Sequence, residues 1–143
     1  MEFQNTRKFK RYRIPVPMRF NLISGEDRRH FTRFYRTRLL DIGLGGVSVL
    51  TPTLRLDGLH FFYDLIPTVR NRIMMQIHLP NQMDPVTALG YAIQGRIVRA
   101  KGRRAYMVGI HFLQISEAHG QRLRAFIELA EKKRDVLSAK ESA

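Results

Sequence analysis

Residues 39–51 read LLDIGLGGVSVLT and predict the turn around which the rest of the chain is organised. An apolar run leads into Asp41, and β-branched residues alternate with others after the turn, as they do in strands. Asp41 can accept hydrogen bonds from the backbone N–H groups that follow it. The turn contains glycines that permit a positive φ or close approach by a ligand, namely Gly43, Gly45 and Gly46. A short motif of this kind is by itself more often a structural hairpin than a binding site.

Alternating apolar and polar residues predict further strands on both sides of this turn. The strands are expected at residues 14–23, 30–42, 45–51, 72–80, 86–100 and 105–112. Strands at this spacing are typical of a small antiparallel barrel. Ser116 offers an N-cap for an amphipathic helix that closes the domain, while Gly120 weakens the first turn and leaves a later start open.

The chain divides into three parts. Residues 1–13 form a basic arm with too few apolar residues to fold alone, residues 14–135 form the barrel and helix, and residues 136–143 are expected to fray. The predicted fold class is therefore mainly β, a six-stranded antiparallel barrel with a C-terminal α-helix. The segment 52–71 has no steady period and is predicted to be a partly packed loop, whose aromatic residues 61–63 are more typical of a core than of a contact surface.

The charge of the chain points to an anionic partner. A formal net charge of +13 on 143 residues attracts nucleic acid, nucleotides, anionic lipid or acidic proteins. Basic residues crowd positions 7–38, where only Glu26 and Asp27 oppose them. We therefore expect the anion site in the first third of the chain.

Several classes of protein are disfavoured by what the sequence lacks. Without cysteine, it has no disulfide, thiolate metal site or thiol chemistry. Its histidines form no HExxH pair, Ser48 lies outside any GxSxG motif, and no GxxxxGK[ST] loop occurs. No apolar stretch approaches the roughly 18 residues of a spanning helix, and no secretory signal is visible. We expect a cytoplasmic protein that is not an enzyme, with no metal and no cofactor.

The basic arm contains an RxxxR pattern formed by Arg7 and Arg11, with Lys8 inside it and Arg13 after it. Planar guanidinium groups can pair with phosphate through two hydrogen bonds and can stack on bases. For an isolated arm, a solvated basic tail or one that contacts nucleic acid without specificity is the simpler interpretation.

Taken in order, the RxxxR arm, the strand opening RIPV, the DIGLGG turn, the strand ending VGIHF and the helix opening SEAHGQRLRAFI resemble the PilZ domain family over nearly the whole chain. The resemblance implies a six-stranded barrel with a C-terminal helix and, as in many members, a receptor for the bacterial second messenger cyclic di-GMP. In the family, RxxxR arginines hold phosphates and guanine faces, and the acid and serine of [DN]xSxxG hold a guanine edge. The resemblance therefore assigns ligand-binding roles to Arg7, Lys8, Arg11, Arg13, Asp41, Gly43, Gly45 and Gly46.

The chain departs from the family pattern in two places. Gly43 stands where the serine is expected, so one neutral hydrogen bond worth roughly 0.5–1.5 kcal/mol is lost. The last arginine of the arm commonly sits just before the first barrel strand, which corresponds to Arg13, but four residues earlier the chain has Phe9. The literal pair Arg7 and Arg11 lies two residues early, a displacement of roughly 6–7 Å in an extended chain.

Three functions follow, in order of preference. The first is a cyclic di-GMP receptor in second-messenger signalling, in which the arm folds over the ligand, with consequences for motility or biofilm that the resemblance suggests. The second is a degenerate PilZ domain that binds no nucleotide and acts as a protein adaptor in pilus or motility function, through a partner that the sequence does not identify. The third and least favoured is nonspecific binding of nucleic acid.

Overall fold

The computed structural model describes the backbone of residues 10–142 and the side chains of residues 10–134. Nine strands and one helix follow one another along this part of the chain. They are β1 (Arg11–Tyr12), β2 (Pro17–Ile23), β3 (Tyr35–Gly43), β4 (Gly46–Thr51), β5 (Arg55–Leu56), β6 (Leu59–His60), β7 (Arg72–Ile77), β8 (Val86–Ala100), β9 (Arg103–Ile115) and α1 (Glu117–Ser142).

The main sheet closes on itself. Its strands run in the order β3-β2-β7-β8-β9-β4, and β4 pairs with β3 to complete six antiparallel strands. The short strand β1 is a seventh member, which pairs with the end of β3 along the edge that β2 occupies farther on. The predicted mainly β fold, a six-stranded antiparallel barrel with a C-terminal helix, is thus confirmed.

The core fills the inside of the barrel because alternate residues of each strand point inward. The β7 pattern shows this directly, since Ile73, Met75 and Ile77 are fully buried while the residues between them are partly exposed. Leu123 and Ile127 of α1 join the same core. The helix therefore packs on the barrel through one apolar face.

The helix begins at Glu117, so Gly120 does not delay its start. The Ser116 hydroxyl accepts a hydrogen bond from the backbone N–H of His119 at 3.1 Å, as the predicted N-cap should. The backbone remains helical through Ser142, which includes most of the segment predicted to fray. The division into arm, barrel and tail remains a prediction.

The segment 52–71 contains a small hairpin, β5–β6, that the sequence pattern did not reveal. Beyond it, Phe61 is fully buried and packs 5.7 Å from the ring of Phe20. Phe62 is half-buried and Tyr63 is exposed. The segment therefore packs on the barrel through Phe61, which belongs to the hydrophobic core.

Candidate functional site

The site is built where the arm meets the glycine-rich hairpin. Strand β1 pairs antiparallel with the end of β3, with Arg11 opposite Gly43 and Tyr12 opposite Ile42. On the other edge of β3, Asp41 lies opposite Ser48 of β4. Two neighbouring strands thus bring the side chains of Arg11 and Ser48 to Asp41.

Arg11 is held by two polar groups of the barrel. Its Nη1 donates to Oδ1 of Asp41 at 3.0 Å and to Oγ of Ser48 at 3.3 Å. The side chain of Arg11 is 8% exposed and that of Asp41 is 20% exposed. Both charges are partly removed from water. Loss of either side chain would therefore leave the other charge poorly solvated and unpaired, at a greater cost in stability than for a pair on the surface.

Asp41 lies inside β3, and its carboxylate accepts from Arg11. The expected cap on the following turn is not seen among residues 10–134. The three glycines likewise do not use a positive φ, which in the described chain occurs at other glycines, Gly58 and Gly102. The hairpin is therefore not held by the turn chemistry expected from its sequence.

Gly43 and Gly46 allow neighbouring backbone segments to pack closely against the hairpin. A Cβ atom on Gly43 would lie 2.4 Å from the carbonyl oxygen of Lys10, so no larger residue fits while β1 is docked. A Cβ atom on Gly46 would lie 2.0 Å from the carbonyl oxygen of Ile110 and 2.9 Å from Nη2 of Arg11. The backbone carbonyl of Gly45 accepts from the N–H of Phe112 at 2.9 Å. Glycine in place of the family serine at position 43 thus leaves the space in which Lys10 and β1 pack against β3.

Tyr12 anchors β1 to the helix. It is buried, and its hydroxyl donates to a carboxylate oxygen of Glu131. The guanidinium of Arg134 lies 5.9 Å from the centroid of the Tyr12 ring, within the range of a cation–π contact. The helix therefore fixes the strand that carries Arg11.

A groove of about 860 Å³ runs between this strand, the helix and the β7–β8 connection. Its cationic side chains include Arg13, Lys133 and Arg134, and its apolar ones include Phe126 and Leu129. A second cavity of about 590 Å³ adjoins it, lined by Lys10, Arg11, Tyr12, Glu131 and Arg134. Cations beside apolar surface suit an anion that carries flat rings.

The structure brings together four of the predicted site residues, Arg11, Asp41, Gly43 and Gly46. Arg13 is exposed on the groove, whereas Arg7 and Lys8 lie outside the described residues. Of the two possible registers for the arm, Arg11 is the arginine that reaches Asp41. The binding roles of these residues remain a prediction.

Sequence reasoning missed three neighbours of the site, namely Ser48, Glu131 and Arg134. Ser48 could have been found from the hairpin, since a short turn places it opposite Asp41. The helix residues could not, because only the packing of α1 against β1 brings them to Tyr12.

The groups with shifted pKa values lie elsewhere. A hydrogen bond from the Tyr35 hydroxyl lowers the pKa of Asp57, and a hydrogen bond from the backbone N–H of Arg33 and the positive charge of Arg33 act in the same direction. Burial, together with the charge of Arg55, lowers the pKa of His60. Within the described residues no cluster of acidic or histidine side chains could hold a metal ion. The single helix, in the part that the structure describes, is not apolar enough to cross a membrane.

Comparison with known proteins identifies the family. The sequence pattern described as the PilZ domain matches residues 5–129, which is most of the chain. The chain belongs to the PilZ domain family, whose members are receptor domains, and the resemblance drawn from its motifs is confirmed. No curated protein matches the chain significantly.

Solved structures with the same fold include two complexes with c-di-GMP and one protein whose description names no ligand. The PilZ domain of YcgR from Escherichia coli with c-di-GMP is 21% identical, has a TM-score of 0.55, and the match covers 93% of this chain and 98% of that one. MotI/DgrA, the inhibitor of motility of Bacillus subtilis, is 17% identical with a TM-score of 0.57 over 90% of this chain and 53% of that one. The MrkH–c-di-GMP complex of K. pneumonia is 15% identical and has a TM-score of 0.57. The match covers 90% of this chain and 55% of the MrkH chain. The chain thus spans about half the length of MotI and of MrkH.

Proposed function

We propose that this chain is a cyclic di-GMP receptor domain. The observation that carries the proposal is the contact of Arg11 with Asp41, since it joins the arginine of the arm motif to the acid of the hairpin motif. The YcgR domain and MrkH, which share the fold, were solved with this ligand. The net charge of +13 favours a doubly anionic ligand.

The geometry suggests how each group would act. Asp41 would accept hydrogen bonds from the N–H groups on the edge of a guanine base, which adenine does not offer in the same pattern. Arg11 would then exchange its contact with Asp41 for one with phosphate or with the face of the base. Arg13 lies exposed on the adjoining groove and would supply a second cation. Arg7 and Lys8 stay proposed ligand-binding residues of the arm.

Calorimetric titration of cyclic di-GMP into the whole chain at physiological salt tests the proposal. Arg11→Ala, Arg13→Ala and Asp41→Ala are each expected to weaken binding about 10- to 150-fold, which corresponds to the loss of a charge-assisted hydrogen bond. Arg36→Ala is the control, because Arg36 is exposed and lies opposite Arg19 of β2, on a part of β3 that does not pair with β1. Cyclic di-AMP is the control ligand.

Wild-type protein that gives no heat with cyclic di-GMP at high micromolar concentration would refute the proposal. Equal binding of both dinucleotides would refute the role given to Asp41.

A second candidate is a protein adaptor that does not read the nucleotide. The observation in its favour is that Arg11 already satisfies Asp41, while Gly43 offers no hydroxyl group. A pull-down that recovers one stoichiometric partner equally with and without cyclic di-GMP would favour the adaptor. Recovery that depends on the nucleotide would favour the receptor.

A further inference from the structure

The hairpin formed by β8 and β9 extends beyond the barrel. Strand β7 pairs with β8 only as far as Gly90, and β4 pairs with β9 only from Tyr106 onward. Residues 96–104, here called the basic ribbon, therefore continue past both neighbouring strands. Their turn is formed by Lys101 and Gly102 at φ of 52° and 75°, a two-residue turn with positive φ that suits the twist of a hairpin and fixes its register.

The basic ribbon is strongly and uniformly cationic. Between Pro85 and Ser116 the sequence contains no aspartate or glutamate. Its five cations are exposed, and none of them forms an ion pair with another residue that the structure describes. They are Arg96, Arg99, Lys101, Arg103 and Arg104.

Two of these charges face each other directly. Arg99 lies opposite Arg104 in the register of the hairpin, and like charges in that position repel. The fixed turn prevents a slip that would separate them. The only hydrogen bond that the described structure gives to either guanidinium joins Nη1 of Arg99 to the carbonyl of Gly102 at 3.4 Å. An anion between the two arginines would turn this repulsion into attraction.

The cations occupy both faces of the basic ribbon. Since side chains alternate along a strand and opposite residues share a face, Arg99 and Arg104 lie on one face and Arg96 and Arg103 on the other. Lys101 is at the end. A two-stranded ribbon fits the major groove of B-form DNA, which is about 12 Å wide and has a phosphate backbone on each side. A membrane surface would contact one face and would favour large apolar groups at the tip. The apolar residues nearest the turn are the small Val98, Ala100 and Ala105, and the one large exposed apolar side chain of the basic ribbon, Ile97, lies four residues before the turn.

We propose that the basic ribbon binds the phosphate backbone of double-stranded DNA without sequence preference. This surface is separate from the arm, where the sequence pattern placed the anion site, and its action does not depend on cyclic di-GMP. Each arginine that contacts phosphate releases counterions, so binding should weaken steeply as salt rises.

The test is fluorescence anisotropy of a labelled DNA duplex of about 20 base pairs, titrated with the whole chain over a series of salt concentrations. Arg99→Gln with Arg104→Gln should reduce affinity about 60-fold near 0.1 M salt and make the slope of log K against log[salt] shallower by about 1.8. Arg99→Lys with Arg104→Lys keeps both charges and should keep the wild-type slope.

The charge-matched control is Arg28→Gln with Arg29→Gln, which removes two exposed cations on the β2–β3 loop. A loss in this control as large as in the basic-ribbon variant would overturn the proposal, as would unchanged binding of the basic-ribbon variant. Binding of the wild type to vesicles rich in phosphatidylserine, with none to the duplex, would also overturn it. Calorimetry with cyclic di-GMP should give the same result for wild type and basic-ribbon variant, which separates this proposal from the receptor function.

Discussion

Arg11 donates to Asp41 across 3.0 Å although the two residues are 30 positions apart in the sequence. The strand that carries Arg11 has only two residues and pairs with β3 at two positions. So short a strand gains little from its backbone hydrogen bonds, since isolated pairing is marginal in water. Side-chain contacts must therefore hold it, and Tyr12 supplies the most buried of these.

We expect Tyr12→Phe to reduce the free energy of unfolding by about 0.5–1.5 kcal/mol, because it removes the hydrogen bond to Glu131 and keeps the ring in place. Chemical denaturation monitored by circular dichroism measures this change. The same substitution should also weaken cyclic di-GMP binding if the receptor proposal holds, since β1 positions Arg11.

Tyr63→Phe is the matched control for Tyr12→Phe, because Tyr63 is 42% exposed and surface substitutions usually change stability by less than about 0.5 kcal/mol. If the two variants unfold at the same denaturant concentration, Tyr12 does not anchor the strand.

Gly43→Ser, which restores the serine of the family motif, is expected to destabilise the free protein. The new Cβ would lie 2.4 Å from the carbonyl of Lys10, a backbone atom that cannot move without lifting β1. We expect a loss of about 1–3 kcal/mol, as for other overpacked sites, seen as a lower midpoint of thermal unfolding.

Gly120→Ala provides the contrast, because a Cβ on Gly120 meets nothing within 4 Å. Alanine is favoured over glycine in a helix by about 0.5–1 kcal/mol, so this variant should be more stable than wild type. A Gly43→Ser protein as stable as wild type would show that β1 is not held closely against Gly43.

The fold could be predicted because each barrel strand is long enough to show alternation, as in β8, whose bounds agree with the prediction. The hairpin β5–β6 was missed although Asp57 and Gly58 form its turn, at φ of 47° and 85°. Asp-Gly is a strong signal for such a turn. It was hidden because the flanking strands have two residues each, too few to show a period.

The candidate site was only partly predictable for a different reason. Motif spacing indicated Asp41 and the glycines, but it left open whether Arg11 or Arg13 faces them. The register of β1 on β3 distinguishes them, since Arg11 pairs with Gly43. That register depends on contacts with a helix more than 100 positions away, such as the bond from Tyr12 to Glu131, and no local pattern encodes those contacts.

Asn71 connects Gly25 of the β2–β3 loop to His60 of β6, and Asn71→Ala should be strongly destabilising. The side chain is fully buried; its Oδ1 accepts from the N–H of Gly25 at 2.9 Å, and its Nδ2 donates to the carbonyl of His60 at 2.7 Å. Alanine would leave these backbone groups without partners, at a cost of about 2–4 kcal/mol. Denaturant unfolding measures the loss. Gln114→Ala, at an exposed position of β9, should change stability little, and an equal effect of the two substitutions would contradict the bridging role.

His60 should make the stability of the protein depend on pH below neutrality. Its Nδ1 accepts from the N–H of Phe62 at 3.1 Å, so this nitrogen carries no proton in the neutral imidazole, and protonation of the folded protein would break the bond. Burial and the charge of Arg55 lower the pKa of His60 below its ordinary value of 6.5, against a smaller opposing effect of Asp64. The unfolded chain therefore binds a proton at higher pH than the folded one.

The contribution of His60 to stability is consequently complete above the ordinary pKa of 6.5 and declines as the pH falls toward the folded pKa, below which the loss stays constant. We expect His60→Asn, whose side-chain oxygen can still accept from Phe62, to lose less stability than wild type between about pH 7.5 and pH 5. Urea unfolding at both pH values measures the difference, and His30→Asn at an exposed position controls for loss of a histidine. Equal losses in wild type and His60→Asn would show that His60 does not titrate with unfolding.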